Sequence, residues 1–126
     1  MNTNTTYKLQ VNGSFAATSK SFLIKHPTKP GKHLQHGALE GPEHGVYVRG
    51  RISNQNIITL PDYWWNLVDE STITIQLTPI GKFQKLYIVK SDSHSVHIQS
   101  ENADSIDCYY FIQAERKDIR KMETEI

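Results

Sequence analysis

The sequence is poor in the features that announce chemistry. Of its 126 residues one is a cysteine, Cys108. A single thiol forms no internal disulfide, so the fold needs no oxidising compartment. No apolar run approaches the roughly 20 residues that span a bilayer, so membrane insertion is not expected. The opening MNTNTTYKLQ has neither the charged start nor the apolar core of a signal peptide, which predicts a chain made and used without Sec export. Neither sign of charge is in excess: 14 basic against 13 acidic side chains give a formal +1. Nucleic-acid-binding domains usually carry a basic patch or stripe, so nucleic acid is not an expected partner. The GxSxG elbow, the P-loop, GxGxxG and HExxH are all missing. Long runs of Ala, Leu and Glu are missing too, which leaves little to build long helices from.

What is present is alternation. The length suits one domain with a modest core. Tyr7, Leu9 and Val11 alternate with polar residues, Asn12-Gly13 is a hairpin dipeptide, and Phe15 and Ala17 resume the pattern. This predicts an N-terminal extended strand or hairpin, preceded by a polar, loosely ordered stretch over residues 1–6. A lone hairpin is marginal in water, so this one needs a surface to pack on. Phe22-Leu23-Ile24 reads as a short strand ended by His26-Pro27. Pro30-Gly31 fits the central pair of a type II turn, and Leu34 to Leu39 read as extended. GVYVRGRI puts Val46, Val48 and Gly50 on one face and Tyr47, Arg49 and Arg51 on the other. IITLP stops at Pro61. DYWWNLV, residues 62–68, is the one helical turn, with Asp62 as a cap and Tyr63, Trp64, Leu67 and Val68 on one face.

Four further strands are expected. STITIQLTPI over 71–80 is the clearest, and KLYIVKS and HSVHIQS follow. DCYYFIQAERK puts Cys108, Tyr110, Ile112 and Ala114 on one face. Short strands at roughly ten-residue spacing predict an all-β fold, a compact antiparallel β-sandwich or barrel. DIRKMETEI is polar enough for a short helix or a loose extension. The expected organisation is an N-terminal docking or oligomerisation segment over 1–19, a β-domain over 20–118 and a polar tail over 119–126.

The densest stretch is LQHGALEGPEHGVYVRGR, residues 34–51. Metal binding is weakened because the pairs His33/His36 and His94/His97 sit in predicted strands, where residues three apart point to opposite faces. His44 lies between the pairs, and partly buried histidines bonded to backbone are the plainer reading. Glu40 and Glu43, with Asp62, offer carboxylates for glycoside hydrolysis, but the first two flank Gly41-Pro42 and mark a turn as easily. Cys108, inside an apolar alternation, is expected as a small core residue and not a nucleophile. No catalytic residue, metal or cofactor is therefore expected. Arg49 and Arg51 suit phosphate or sugar, though such a same-face pair is more often a solvated stripe, or a partner of Glu40 and Glu43. Tyr63, Trp64 and Trp65 offer rings for stacking on a sugar, two of the three being expected in the core or an interface.

One ordered set of motifs covers nearly the whole chain. It runs KSF (20–22), HP (26–27), LEGPE (39–43), VYVRG (46–50), LPDYW (60–64), QLTPIG (76–81) and ERKD (115–118). The set resembles the C-terminal β module of phage and prophage tail-fibre-like virion proteins, especially those of tailed phages of marine bacteria. LQVNGSFAAT looks like the last strand segment of a fibre shaft, although such modules often end much longer chains. The resemblance implies a non-enzymatic, usually trimeric virion domain. From it comes the expectation of a small fibre, appendage or decoration protein, made in the host cytoplasm and carried in the virion. Its expected partners are itself and other virion proteins, with Tyr7, Leu9, Val11 and Phe15 carrying assembly. A host-receptor module is the alternative, gripping glycan through Tyr47, Arg49, Arg51, Trp64 and Trp65.

Overall fold

Almost every alternating run becomes a strand in the structure, a computed structural model that describes residues 7–126. The strands are β1 (Ser21–Lys25), β2 (His33–Gly37), β3 (Gly45–Ser53), β4 (Ile57–Thr59), β5 (Thr74–Pro79), β6 (Leu86–Ser91), β7 (Ser95–Ser100) and β8 (Asp107–Glu115). They form three antiparallel sheets: the β1-β2 hairpin, β3-β8-β5 and β4-β7-β6. The chain is an all-β sandwich.

Period two decides what lies inside. From the larger sheet Val46, Ile52, Cys108, Ile112 and Ala114 enter the core, with Ile75, Leu77 and Tyr110 partly buried against it. From the other sheet come Ile58, Val96 and Ile98. Trp64, Leu67 and Val68, all but fully buried, complete the core from the loop after β4. Opposite Tyr110, position 50 is glycine for a steric reason: a Cβ there would sit 2.6 Å from the Tyr110 hydroxyl oxygen and 2.8 Å from Cζ.

The hairpin joins this body through one mixed cluster. His36 stacks on Phe22 with ring centroids 4.9 Å apart, and its Nε2 lies 3.0 Å from the Tyr63 hydroxyl. The Arg116 guanidinium sits 4.2 Å above the Phe22 ring while donating to both carboxylate oxygens of Asp118. The hairpin loop is a type II turn as expected: Lys32 N–H donates to Lys29 O across Pro30-Gly31, and Gly31 has φ +78°.

Three local expectations are corrected. Residues 7–19 form no strand and no hairpin; every one of them is exposed, and residues 1–6 lie outside the described residues. A strand needs a partner edge, and within the chain this segment pairs with none. The helical turn is a 3-10 turn over Trp64–Asn66, and Asp62 does not cap it; Asp62 pairs instead with Lys29 at 3.3 Å. A second 3-10 turn, Glu70–Thr72, takes the start of the strand expected from residue 71, because the Asp69 carboxylate accepts from Ser71 N–H. The tail takes the second of its two expected forms, an extension without helix, which Lys121 ties back by pairing with Asp69 and Glu115, each at 3.1 Å.

Candidate functional site

The outer face of the β3-β8-β5 sheet gathers the polar and aromatic residues that the core leaves out. Register sets three rows across it: Tyr47, Gln113 and Thr74; Arg49, Phe111 and Gln76; Arg51, Tyr109 and Thr78. The Tyr47 and Phe111 rings stack at 5.3 Å between centroids and 13° between planes. A shallow concavity of about 540 Å³ lies over the second and third rows, and one of about 170 Å³ lies between Glu43, Thr72 and the first two.

The two arginines differ. Arg51 donates from Nε and Nη2 to Asp107 Oδ1 and Oδ2 at 2.9 and 2.8 Å, and Ser53 adds a hydroxyl bond to Oδ1. The Arg51 hydrogen bonds, then that of Ser53, hold the Asp107 carboxyl below the usual carboxylate range. Asp107 is therefore the partner of Arg51, and not Glu40 or Glu43 as the sequence suggested. Arg49 makes no ion pair among the described residues. Stacked rings, amides, hydroxyls and one unpaired guanidinium on a flat face suit a polyhydroxylated ligand, whose rings stack on aromatics and whose hydroxyls bond to the polar groups.

The residues expected to grip glycan are split by the fold. Tyr47, Arg49 and Arg51 share this face. Trp64 does not: it is 0% exposed, so its ring is core and reaches no ligand. Trp65 is exposed but borders neither concavity. Tyr109, Phe111, Gln76 and Thr78 belong to the face and were not singled out from sequence. The alternation that sends Cys108, Tyr110 and Ile112 inward already sends Tyr109 and Phe111 outward. Their meeting with Arg49 and Arg51 depends on pairing across some sixty residues, which no local pattern shows.

The other candidates go to separate partners. Glu40 bonds to the Lys20 ammonium, whose hydrogen bond lowers the carboxyl's pKa, and Glu43 borders the smaller concavity. His26 Nδ1 accepts backbone N–H groups of Thr28 and Lys29, as a turn-forming side chain does. Among the described residues no three His, Cys, Asp or Glu side chains are grouped to hold a metal ion. Cys108 is buried, and burial, with Asp107 adding to it, pushes its thiol up, away from nucleophilic thiolate. The four residues expected to carry assembly are exposed together: Tyr7, Leu9, Val11 and Phe15 lie on the unpaired N-terminal segment. Among the described residues no helix is long and apolar enough to cross a membrane. Compared with protein-family models, curated proteins and solved structures, the chain matches none.

Proposed function

We propose that this chain is a non-enzymatic structural module of a phage particle, a small fibre, appendage or decoration protein that assembles as a homotrimer through its N-terminal segment. One observation carries the assembly part: Tyr7, Leu9, Val11 and Phe15 are 49–76% exposed on a segment that buries nothing in its own fold. Large apolar side chains concentrated on one exposed segment mark an interaction site. The virion part rests on the ordered motifs between residues 20 and 118. Light scattering on the full chain and on a chain lacking residues 1–18 tests it. The full chain is expected as a trimer and the truncated chain as a folded monomer, since every core residue lies beyond residue 20. A truncated chain that still forms trimers, or still attaches to particles, overturns the role of the segment.

A second reading, receptor binding to glycan, is favoured by the face on which Tyr47, Arg49 and Arg51 meet Tyr109 and Phe111. Arg49→Ala is expected to abolish glycan-array binding without moving the melting temperature, and Phe111→Ala to abolish it with some loss of stability from the broken ring stack. Absence of binding by the unaltered protein at about millimolar glycan ends this reading.

A further inference from the structure

The sandwich leaves one long strand edge unguarded. β3 is nine residues long, pairs with β8 without interruption and carries no proline. The other outer strands of the two larger sheets are blunted: β4 has three residues, β5 ends in Pro79 and β6 carries a bulge between Ile88 and Lys90. Proteins ordinarily protect such edges, because a row of unpaired N–H and C=O groups is a template for another strand.

The bonding pattern shows which groups are open. Arg116 N–H donates to His44 O and Asn54 N–H to Ile106 O, which makes the even-numbered positions the ones bonded to β8. Gly45, Tyr47, Arg49 and Arg51 therefore turn their N–H and C=O groups away from it. Beside the first half of this edge runs a groove of about 470 Å³, between residues 45–49 and residues 36–39. Ala38 N–H donates to Lys20 O, so Gly37 likewise turns its N–H and C=O away from β1. Leu39 and Val48 give the groove its apolar lining.

The N-terminal segment leaves the domain at this place. The Ala38–Lys20 bond and the Lys20–Glu40 ion pair fix residue 20 across β2 from the groove, about 5 Å away by strand spacing. Upstream, Tyr7, Leu9 and Val11 have the period of a strand with one apolar face. Residues 7–11 and 45–49 are equal in length, about 17 Å when extended. In the single chain the segment does not take its own groove, since every residue from 7 to 20 is exposed.

We propose that residues 7–11 of one copy add as a strand to the open edge of β3 in a neighbouring copy, seated in the groove between residues 36–39 and 45–49. This rests on the reading of the N-terminal segment as the assembly device and adds where it goes. Each copy then gives one strand and receives one, a head-to-tail contact that forms a ring when the rotation between copies closes. Main-chain bonds supply the affinity, and the apolar lining selects Tyr7, Leu9 and Val11.

Amide exchange by NMR on the full chain, with its mass measured in the same sample, tests the proposal. In an isolated copy the amides of Tyr47 and Arg49 face solvent, while those of Val46 and Val48 bond to β8 and serve as the internal reference. The expected result is an oligomer in which Tyr47 and Arg49 exchange roughly tenfold or more slowly than in Leu9→Asp, whose mass falls to one chain. Tyr47→Pro, which removes an outward N–H alone, is expected to lose the oligomer, and Tyr47→Thr to keep it. An oligomer whose Tyr47 and Arg49 amides exchange as fast as in Leu9→Asp overturns the docking site and leaves the assembly role standing. A monomeric full chain with fast amides overturns both. Slow amides in a monomer place the segment in its own groove and overturn exchange between copies.

Discussion

His36 is where a single proton bears on the fold. It is stacked on Phe22, within reach of the Tyr63 hydroxyl and near Arg116. Burial, then the Arg116 charge, lower its pKa from the ordinary 6.5. The folded state thus holds the neutral imidazole, and the unfolded chain binds the proton more readily. The stabilisation is complete above the unfolded value and is lost as pH falls below it toward the folded value. The melting temperature is expected to drop between about pH 7.5 and about pH 5.5, and the drop to shrink in His36→Phe. An equal slope in both proteins shows that the drop has another source. Gly50 is constrained by shape instead. With Tyr110 lying across it, Gly50→Val is expected to cost about 1–3 kcal/mol by urea unfolding. A neutral result means that the Tyr110 ring moves aside freely.

The turn at residues 64–66 sets two adjacent tryptophans to opposite uses. Trp64 is enclosed and Trp65 is about half exposed. Trp64→Ala is expected to cost about 3–5 kcal/mol and Trp65→Ala about 0.5 or less. Trp64→Phe should cost less than Trp64→Ala, because the phenyl ring leaves the smaller cavity; both variants lose a buried indole N–H that has no acceptor among the described residues. Equal costs for the two alanine variants contradict this placement. Sequence reading reached the elements whose signal is local: the alternations of β3, β7 and β8, and the Pro30-Gly31 turn. It placed a strand and hairpin at residues 7–17 because period two records a capacity to pair, and says nothing about whether a partner edge exists. It began β5 too early because the bond from Ser71 N–H to the Asp69 carboxylate competes with the ladder. The outer face was half legible: Tyr47, Arg49 and Arg51 follow from one strand's alternation, whereas Tyr109 and Phe111 join them through long-range register.

At the scale of the molecule, β8 is the member on which the larger sheet depends. Its even-numbered residues bond to β3, and its odd-numbered residues bond to β5, as the Ile80 N–H to Asp107 O bond marks. β3 and β5 do not touch each other in that sheet. The strand between them is also the one that follows all the others in the sequence. During synthesis, at about 5–20 residues per second, residues 7–19 are free of the ribosome while the sheet is still two strands with nothing between them. The apolar N-terminal segment therefore leaves the ribosome before the sheet is complete, and a nascent chain halted before residue 107 presents to its neighbours two unjoined strands together with Tyr7, Leu9, Val11 and Phe15.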